Sequence, residues 1–278
     1  MFPNYLGIGV FRSGSTWLHE LLDTHPDAFV PSKRKEVFWF SNNYDKGRDW
    51  YESFFPDSET EGKIAVGEVT PGYFYSADAA QRIRDEPTIK RLILILRDPA
   101  NRAFSNYTRR IKIDNYQGDF RSFLQDYPDG GMNLSRYADH LERYRSMFSQ
   151  EELLTLIYED LFADVVASRE RIAAHLGLDP ARFPEDAGKK RVNAVVVPKY
   201  GGAYKIMSKI GRKLRKADLD FLPNLIGRKL GMKRMFGTRA APMPKLGAAD
   251  RAWFIEQVAD DIDRVEAQLD VDLSSWRT

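Results

Sequence analysis

The stretch Asn4–Leu22, NYLGIGVFRSGSTWLHELL, decides the fold. Tyr5 to Val10 is a short apolar run that predicts a buried strand, Arg12 to Thr16 is a tight polar turn, and a helix is predicted from Thr16 or Trp17 onward. Leu18, Leu21 and Leu22 would anchor that helix to a sheet. A strand that hands a Gly/Ser/Thr turn to a helix N-terminus leaves backbone N–H groups without partners, and the helix dipole adds to their pull on an anion. The expected product is a phosphate cradle. Gly9 to Thr16, G-V-F-R-S-G-S-T, fits the opening G-x-x-x-x-G of a nucleotide-binding loop but carries Ser15 where an NTPase has its lysine. That lysine grips the β and γ phosphates, so its absence speaks against a motor, a kinase or a GTPase. What remains is one cation, Arg12, with the hydroxyls of Ser13, Ser15 and Thr16, a set suited to a single terminal phosphate.

The rest of the chain repeats the strand-then-helix alternation. Phe29 to Pro31 and Ile64 to Val66 read as short strands, Arg91 to Leu96 (RLILIL) as a central strand covered on both faces, and Leu153 to Tyr158 as another. Helices are expected at Asp49–Phe55, Ala77–Arg84, Asn101–Ile111, Arg136–Phe148 and Val165–Leu176, the last ended by Gly177. Alternation of this kind implies an α/β fold with a P-loop-type central parallel sheet covered by helices on both faces. The 278 residues, 43% of them hydrophobic, suit one large domain spanning 1–278. Beyond Pro184 the character changes: a basic loop carries Lys189, Arg191 and Asn193, a basic amphipathic lid or insertion covers about 201–240, and a closing helix covers about 249–270. The segment Lys205–Arg234 suits peripheral contact with an anionic membrane or the covering of an acceptor.

A net charge of +2, from 42 basic and 40 acidic residues, implies no nucleic-acid binding by bulk charge. Anion recognition must come from local patches. With no cysteine there is no disulfide and no thiolate ligand, and the four histidines, His19, His25, His140 and His175, lack metal-ligand spacing, so no metal is expected. No leader and no long apolar span is read, and a soluble, cytoplasmic protein is expected.

Two further places carry chemistry. In Lys33-Arg34-Lys35-Glu36-Val37-Phe38-Trp39-Phe40, one carboxylate stands between a basic run and an aromatic one. Desolvation favours its neutral form and the cations its charged form, which is how a carboxylate is tuned for proton transfer. At the end of the Arg91–Leu96 strand stands Arg97, followed two turns into a helix by Ser105; this pair suits a second phosphate at the same sheet edge. The turn Glu68-Val69-Thr70-Pro71-Gly72 closes another strand, where α/β sheets place functional groups.

The ordered set F-R-S-G-S-T-W-L (11–18), K-E-V-F-W-F (35–40), E-V-T-P-G-Y-F (68–74), L-I-L-I-L-R-D-P-A-N-R-A-F-S-N-Y (92–107) and I-Y-E-D-L (157–161) resembles the PAPS-dependent sulfotransferases. It is nearest to the carbohydrate, heparan sulfate-like branch and its bacterial relatives. The resemblance runs from about residue 5 to 200, with a weaker tail at 272–276. It implies that Arg12, Ser13, Gly14, Ser15, Thr16 and Trp17 bind the 5′-phosphosulfate of 3′-phosphoadenosine 5′-phosphosulfate (PAPS), leaving PAP as product, and that Arg97 and Ser105 hold the 3′-phosphate. Lys189, Arg191 and Asn193 would close over the nucleotide. Glu36 corresponds to the general base of the glycan branch, with Arg12 as its catalytic cation and Lys35, Glu68 and Thr70 as acceptor contacts. The loop cation is usually lysine in that family, and the E-x-T-P turn often carries lysine where this chain has Val69. His19 and His25 are rival bases with more structural positions. The expected reaction is sulfuryl transfer to a hydroxyl of a carbohydrate or other small acceptor without a metal. The rival readings are a P-loop small-molecule kinase and a non-catalytic anion- or membrane-binding module.

Overall fold

Five parallel strands form the sheet: β1 (Tyr5–Gly9), β2 (Ala28–Phe29), β3 (Ala65–Val69), β4 (Arg91–Leu96) and β5 (Leu153–Ile157), in the spatial order β2-β3-β1-β4-β5. β1 lies in the middle, with Tyr5 opposite Gly67 on one side and Arg91 on the other. The computed structural model describes residues 1–189 and 243–278, together with the backbone of a short antiparallel ladder at 197–198 and 238–239. The basic segment 201–240, apart from that ladder, and the residues Arg191 and Asn193 lie outside the described residues.

Alternation along the strands sorts the core into two layers. On β4, Leu92, Leu94 and Leu96 face one way and Ile93 and Ile95 the other, and all five are buried. Ile93 and Ile95 meet α1 (Ser15–Asp23) through Trp17, Leu18, Leu21 and Leu22, and α9 (Val165–Leu176) through Ile172 and Leu176. The leucine face packs on α4 (Ala77–Asp85), α5 (Pro99–Asp114) and α7 (Ala138–Met147), and on α10 (Ala248–Glu256) and α11 (Ala259–Leu269) near the C-terminus. Each such side chain contributes about 1.5–3 kcal/mol on leaving water. The expected parallel sheet with helices on both faces is what forms.

Short helices fill the connections: α2 (Arg48–Glu52), α3 (Asp57–Thr60), α6 (Phe120–Asp126) and α8 (Tyr158–Ala163). Several boundaries differ from expectation. α2 stops before Phe55, because Pro56 disfavours helical backbone at the residue ahead of it. β3 runs on to Val69, and Tyr158 opens α8 rather than closing β5. The closing helix is two helices: the backbone leaves the helical region at Val258, which turns its own side chain and Ile262 into the core. The C-terminal part is tied to the sheet edge. Asp98 caps α5 by accepting from the Asn101 N–H at 3.0 Å and meets Arg251 of α10 at 2.6 Å, while the buried Trp276 donates its indole N–H to Glu159 at 3.3 Å.

Candidate functional site

The C-terminal ends of β1, β3, β4 and β5 converge at one sheet edge, where loops of an α/β protein receive ligands. The β1–α1 loop makes its floor. Arg12 takes a left-handed backbone (φ 69°), and Gly14, at φ 90°, is the N-cap residue of α1 and offers no side chain to its first turn. A non-glycine residue there would carry the left-handed cost. Leu18 N–H is bonded to Gly14 C=O at 2.9 Å, so the amides ahead of it lie in the turn that a helix leaves open. Ser13 is fully buried and its Oγ has no hydrogen-bond partner.

Cations ring this loop. Arg12 donates from Nε to Ser105 Oγ at 3.1 Å, and Arg97, from the end of β4, donates from Nη1 to the Arg12 carbonyl at 2.7 Å. The Arg97 guanidinium stacks 4.4 Å over the Tyr158 ring, and its buried Nε is without a partner. Burial, then Arg109, Arg97 and Arg102, lower the Arg12 guanidinium to about 10, so it stays charged at neutral pH among like charges. The first turn of α1 is walled by aromatic residues. Trp17 meets Phe162 with centroids 5.5 Å apart and donates its indole N–H to the Gly188 carbonyl at 2.8 Å.

The opposite wall is the segment after β2. Lys35 Nζ stands 3.0 Å from Glu36 Oε1 and donates to Ser15 Oγ at 3.4 Å, joining this wall to the loop. Glu36 is 36% exposed. Behind it, Val37 is fully buried and Phe38 holds a left-handed backbone at φ 57°. Glu68, near the end of β3, is fully buried and accepts four hydrogen bonds: Val37 N–H at 3.2 Å and Thr70 Oγ1 at 2.5 Å on one oxygen, Tyr51 at 3.2 Å and Tyr73 at 2.5 Å on the other. Burial pushes the Glu68 carboxyl up, and the hydrogen bonds work against that rise. His19, one turn after Ser15 on α1, is lowered to about 4 by burial and by Lys35, and its buried Nδ1 has no partner.

The structure thus brings Arg12, Ser13, Gly14, Ser15, Thr16, Trp17, Arg97 and Ser105 to one edge, and the two anion positions read from sequence form one connected surface through the Arg12–Ser105 bond. Lys35 and Glu36 adjoin it. Lys189 follows Gly188, on which Trp17 rests, but its exposed ammonium lies 3.8 Å from Glu185. The expectation that Glu68 and Thr70 touch an acceptor is corrected: both are fully buried, and Glu68 is occupied by four internal donors. His25 is held structurally, facing the Asp179 carbonyl at 3.0 Å and the Phe183 ring. Sequence reasoning missed the roles of Tyr158 and Arg109. Tyr158 stands directly after a strand, as Arg97 does, and Arg12 lies just beyond the end of β1; a position after a parallel strand is the signal that marks this edge.

A nucleotide with two phosphate groups fits these residues: partnerless buried donors at Ser13 and Arg97, an uncapped helix start at Gly14, and crowded guanidinium groups are features an anion relieves.

The sequence matches the family model of the sulfotransferase domain over residues 3–195. It is 32% identical over 184 residues to heparan sulfate glucosamine 3-O-sulfotransferase 3B1 of Homo sapiens, covering 63% of this chain and 46% of that one. It is 30% identical over 196 residues to bifunctional heparan sulfate N-deacetylase/N-sulfotransferase 4 of Mus musculus, covering 64% and 22%. The chain therefore spans about half the length, or less, of these two relatives. Among solved structures, a sulfotransferase from Alicyclobacillus acidocaldarius shares the fold, with a TM-score of 0.72 over 100% of both chains at 21% identity.

Proposed function

Because this chain belongs to the sulfotransferase domain family, we propose that it moves a sulfuryl group from PAPS to a hydroxyl of a carbohydrate or other small hydroxylated acceptor, with Glu36 as general base. The observation that carries the reading is the juxtaposition of a cation-rich anion cradle with a carboxylate, bridged by Lys35. The curated relatives with heparan sulfate in their names supply the acceptor class.

Arg12, Ser13, Ser15, Thr16 and the α1 amides would hold the 5′ end of the donor, Trp17 would wall it, and Arg97 with Ser105 would hold the 3′-phosphate. The donor, when bound, supplies an activated sulfur–oxygen bond. Glu36 is open enough to meet an acceptor hydroxyl, and its carboxylate takes that proton as the oxygen attacks sulfur in line. Lys35 reaches both the base and the loop, so its ammonium lies where negative charge passes between acceptor and donor. Arg12, charged at neutral pH, stabilises the charge that develops on the leaving phosphate. Lys189, Arg191, Asn193 and the basic segment Lys205–Arg234 would complete the cover over nucleotide or acceptor. The proposal extends to a cytoplasmic location, supported by a chain without cysteine and tested by cell fractionation.

The test is transfer of labelled sulfuryl from PAPS to a heparan sulfate oligosaccharide, with amino and hydroxyl positions separated by analysis of the product. Glu36→Gln is expected to cut turnover about a hundredfold or more and to leave affinity for adenosine 3′,5′-bisphosphate intact. Unchanged turnover removes Glu36 from the role. Binding of ATP with Mg²⁺ in place of the bisphosphate would favour the kinase reading.

A further inference from the structure

The backbone of the two residues after the proposed base is fully hydrogen-bonded. Val37 N–H bonds Glu68 and Val37 C=O accepts from the Asn43 side chain at 2.7 Å; Phe38 N–H bonds Thr70 Oγ1 at 3.4 Å and Phe38 C=O accepts from Asn43 N–H at 3.0 Å. All four backbone polar groups are thereby used, the Val37 side chain is fully buried, and Phe38 is kept in a left-handed conformation that costs a non-glycine residue free energy. A turn held in that state needs its surroundings to over-determine it. The centre of those surroundings is Glu68, which reaches the turn directly at Val37 and through Thr70 at Phe38.

The chemistry of this centre is specific. The Tyr51 and Tyr73 hydroxyls both donate to Oε1, and the Thr70 hydroxyl and the Val37 amide both donate to Oε2. Four groups donating to both oxygens is the pattern an ionised carboxylate accepts, and these bonds oppose the burial that pushes the Glu68 carboxyl up. Burial also keeps the Tyr51 and Tyr73 hydroxyls protonated, so they remain donors. A buried carboxylate that merely filled the core would be costly. Here it clamps the backbone beside the residue that must meet the acceptor.

We propose that Glu68 is a positioning residue for Glu36: through Val37 and Thr70 it sets where the base stands relative to the β1–α1 loop. The inference rests on Glu36 being the base. A misplacement of about 1 Å can cost up to about a hundredfold in rate, so the clamp acts on kcat and not on the donor, which is held by the β1–α1 loop and Arg97.

The experiment is a double-mutant cycle on the full chain, with labelled PAPS and a heparan sulfate oligosaccharide as substrates and calorimetric binding of adenosine 3′,5′-bisphosphate as the second readout. Thr70→Val, which keeps the shape but removes both the donor to Glu68 and the acceptor for Phe38 N–H, should lower kcat about tenfold or more with bisphosphate affinity unchanged. Thr70→Ser should restore most of the rate. In the Glu36→Gln background Thr70→Val should cost less than about twofold, since a base already removed cannot be misplaced. Glu68→Gln is the second variant and should show the same non-additivity. Full additivity of either variant with Glu36→Gln, or a loss of bisphosphate affinity matching the loss of kcat, overturns the inference while Glu36 remains the base. An undiminished kcat in Glu36→Gln alone overturns the reading on which it rests.

Discussion

The two walls of the cleft meet where Lys35 Nζ approaches Ser15 Oγ at 3.4 Å, and they treat their polar groups in opposite ways. On the loop wall, Ser13 Oγ and Arg97 Nε are buried without partners, no side chain caps α1, and Arg12 is crowded by other arginines. On the wall that carries Glu36, the backbone of Val37 and Phe38 is fully bonded and Glu68 is saturated by donors. Unmet donors and uncompensated charge belong to a surface whose partner is an anion from outside the chain. Complete satisfaction on the other wall fits the positioning role proposed for Glu68.

That contrast can be broken at the loop wall first. Arg97→Ala is expected to weaken adenosine 3′,5′-bisphosphate about tenfold or more, the worth of a hydrogen bond to a charged group, and to leave 5′-AMP nearly unaffected. Equal losses for the two nucleotides by calorimetry would mean that Arg97 supports the Arg12 carbonyl and does not read the 3′-phosphate.

A smaller effect is expected at the aromatic rim. Trp17→Phe removes the indole N–H from the Gly188 carbonyl and should cost about 1–2 kcal/mol in urea unfolding. A neutral result would show that this carbonyl is served by water, and that the rim is not fastened there.

An effect confined to acid pH sharpens the seam itself. His19, lowered from its ordinary 6.5 to about 4 by burial and by Lys35, is neutral in the fold, whereas the unfolded chain binds its proton below about 6.5. Its contribution is therefore fully present above pH 6.5 and is lost as the pH falls toward 4. His19→Gln should flatten the decline of Tm over that window, read by thermal melts at a series of pH values, and an unchanged slope would place the sensitivity elsewhere.

How far each wall could be read in advance follows from how it is built. The loop wall is contiguous: strand, polar turn and helix start occupy Tyr5 to Asp23, so residue order alone places its donors side by side. Arg97 and Ser105 were also legible, because a buried parallel strand must release its next residues at the same sheet edge. The other wall was misread at Glu68 and Thr70. A carboxylate within the apolar strand Ala-Val-Gly-Glu-Val has no route to water when both faces are covered, and that was the available signal. Its partners, however, come from Tyr51, Tyr73 and Val37, the last 31 residues away in the chain, and no local pattern predicts their meeting. Likewise, an apolar period across 249–270 suggested one helix, and only packing of Val258 and Ile262 into the core set the break.

Residue order by itself determined the parallel α/β architecture, the hydroxyl-rich turn at the start of α1 and its missing NTPase lysine, because hydrophobic period, turn residues and helix starts are local properties of the backbone. Tertiary structure alone decided that Arg12 and Ser105 share one surface, that Lys35 spans both walls, and that Glu68 is buried and bonded to the backbone of Val37, next to Glu36. Those are matters of which side chains are buried together and which donors find which acceptor. They follow from how the strands and loops stack in space, and the linear chain carries no measure of that.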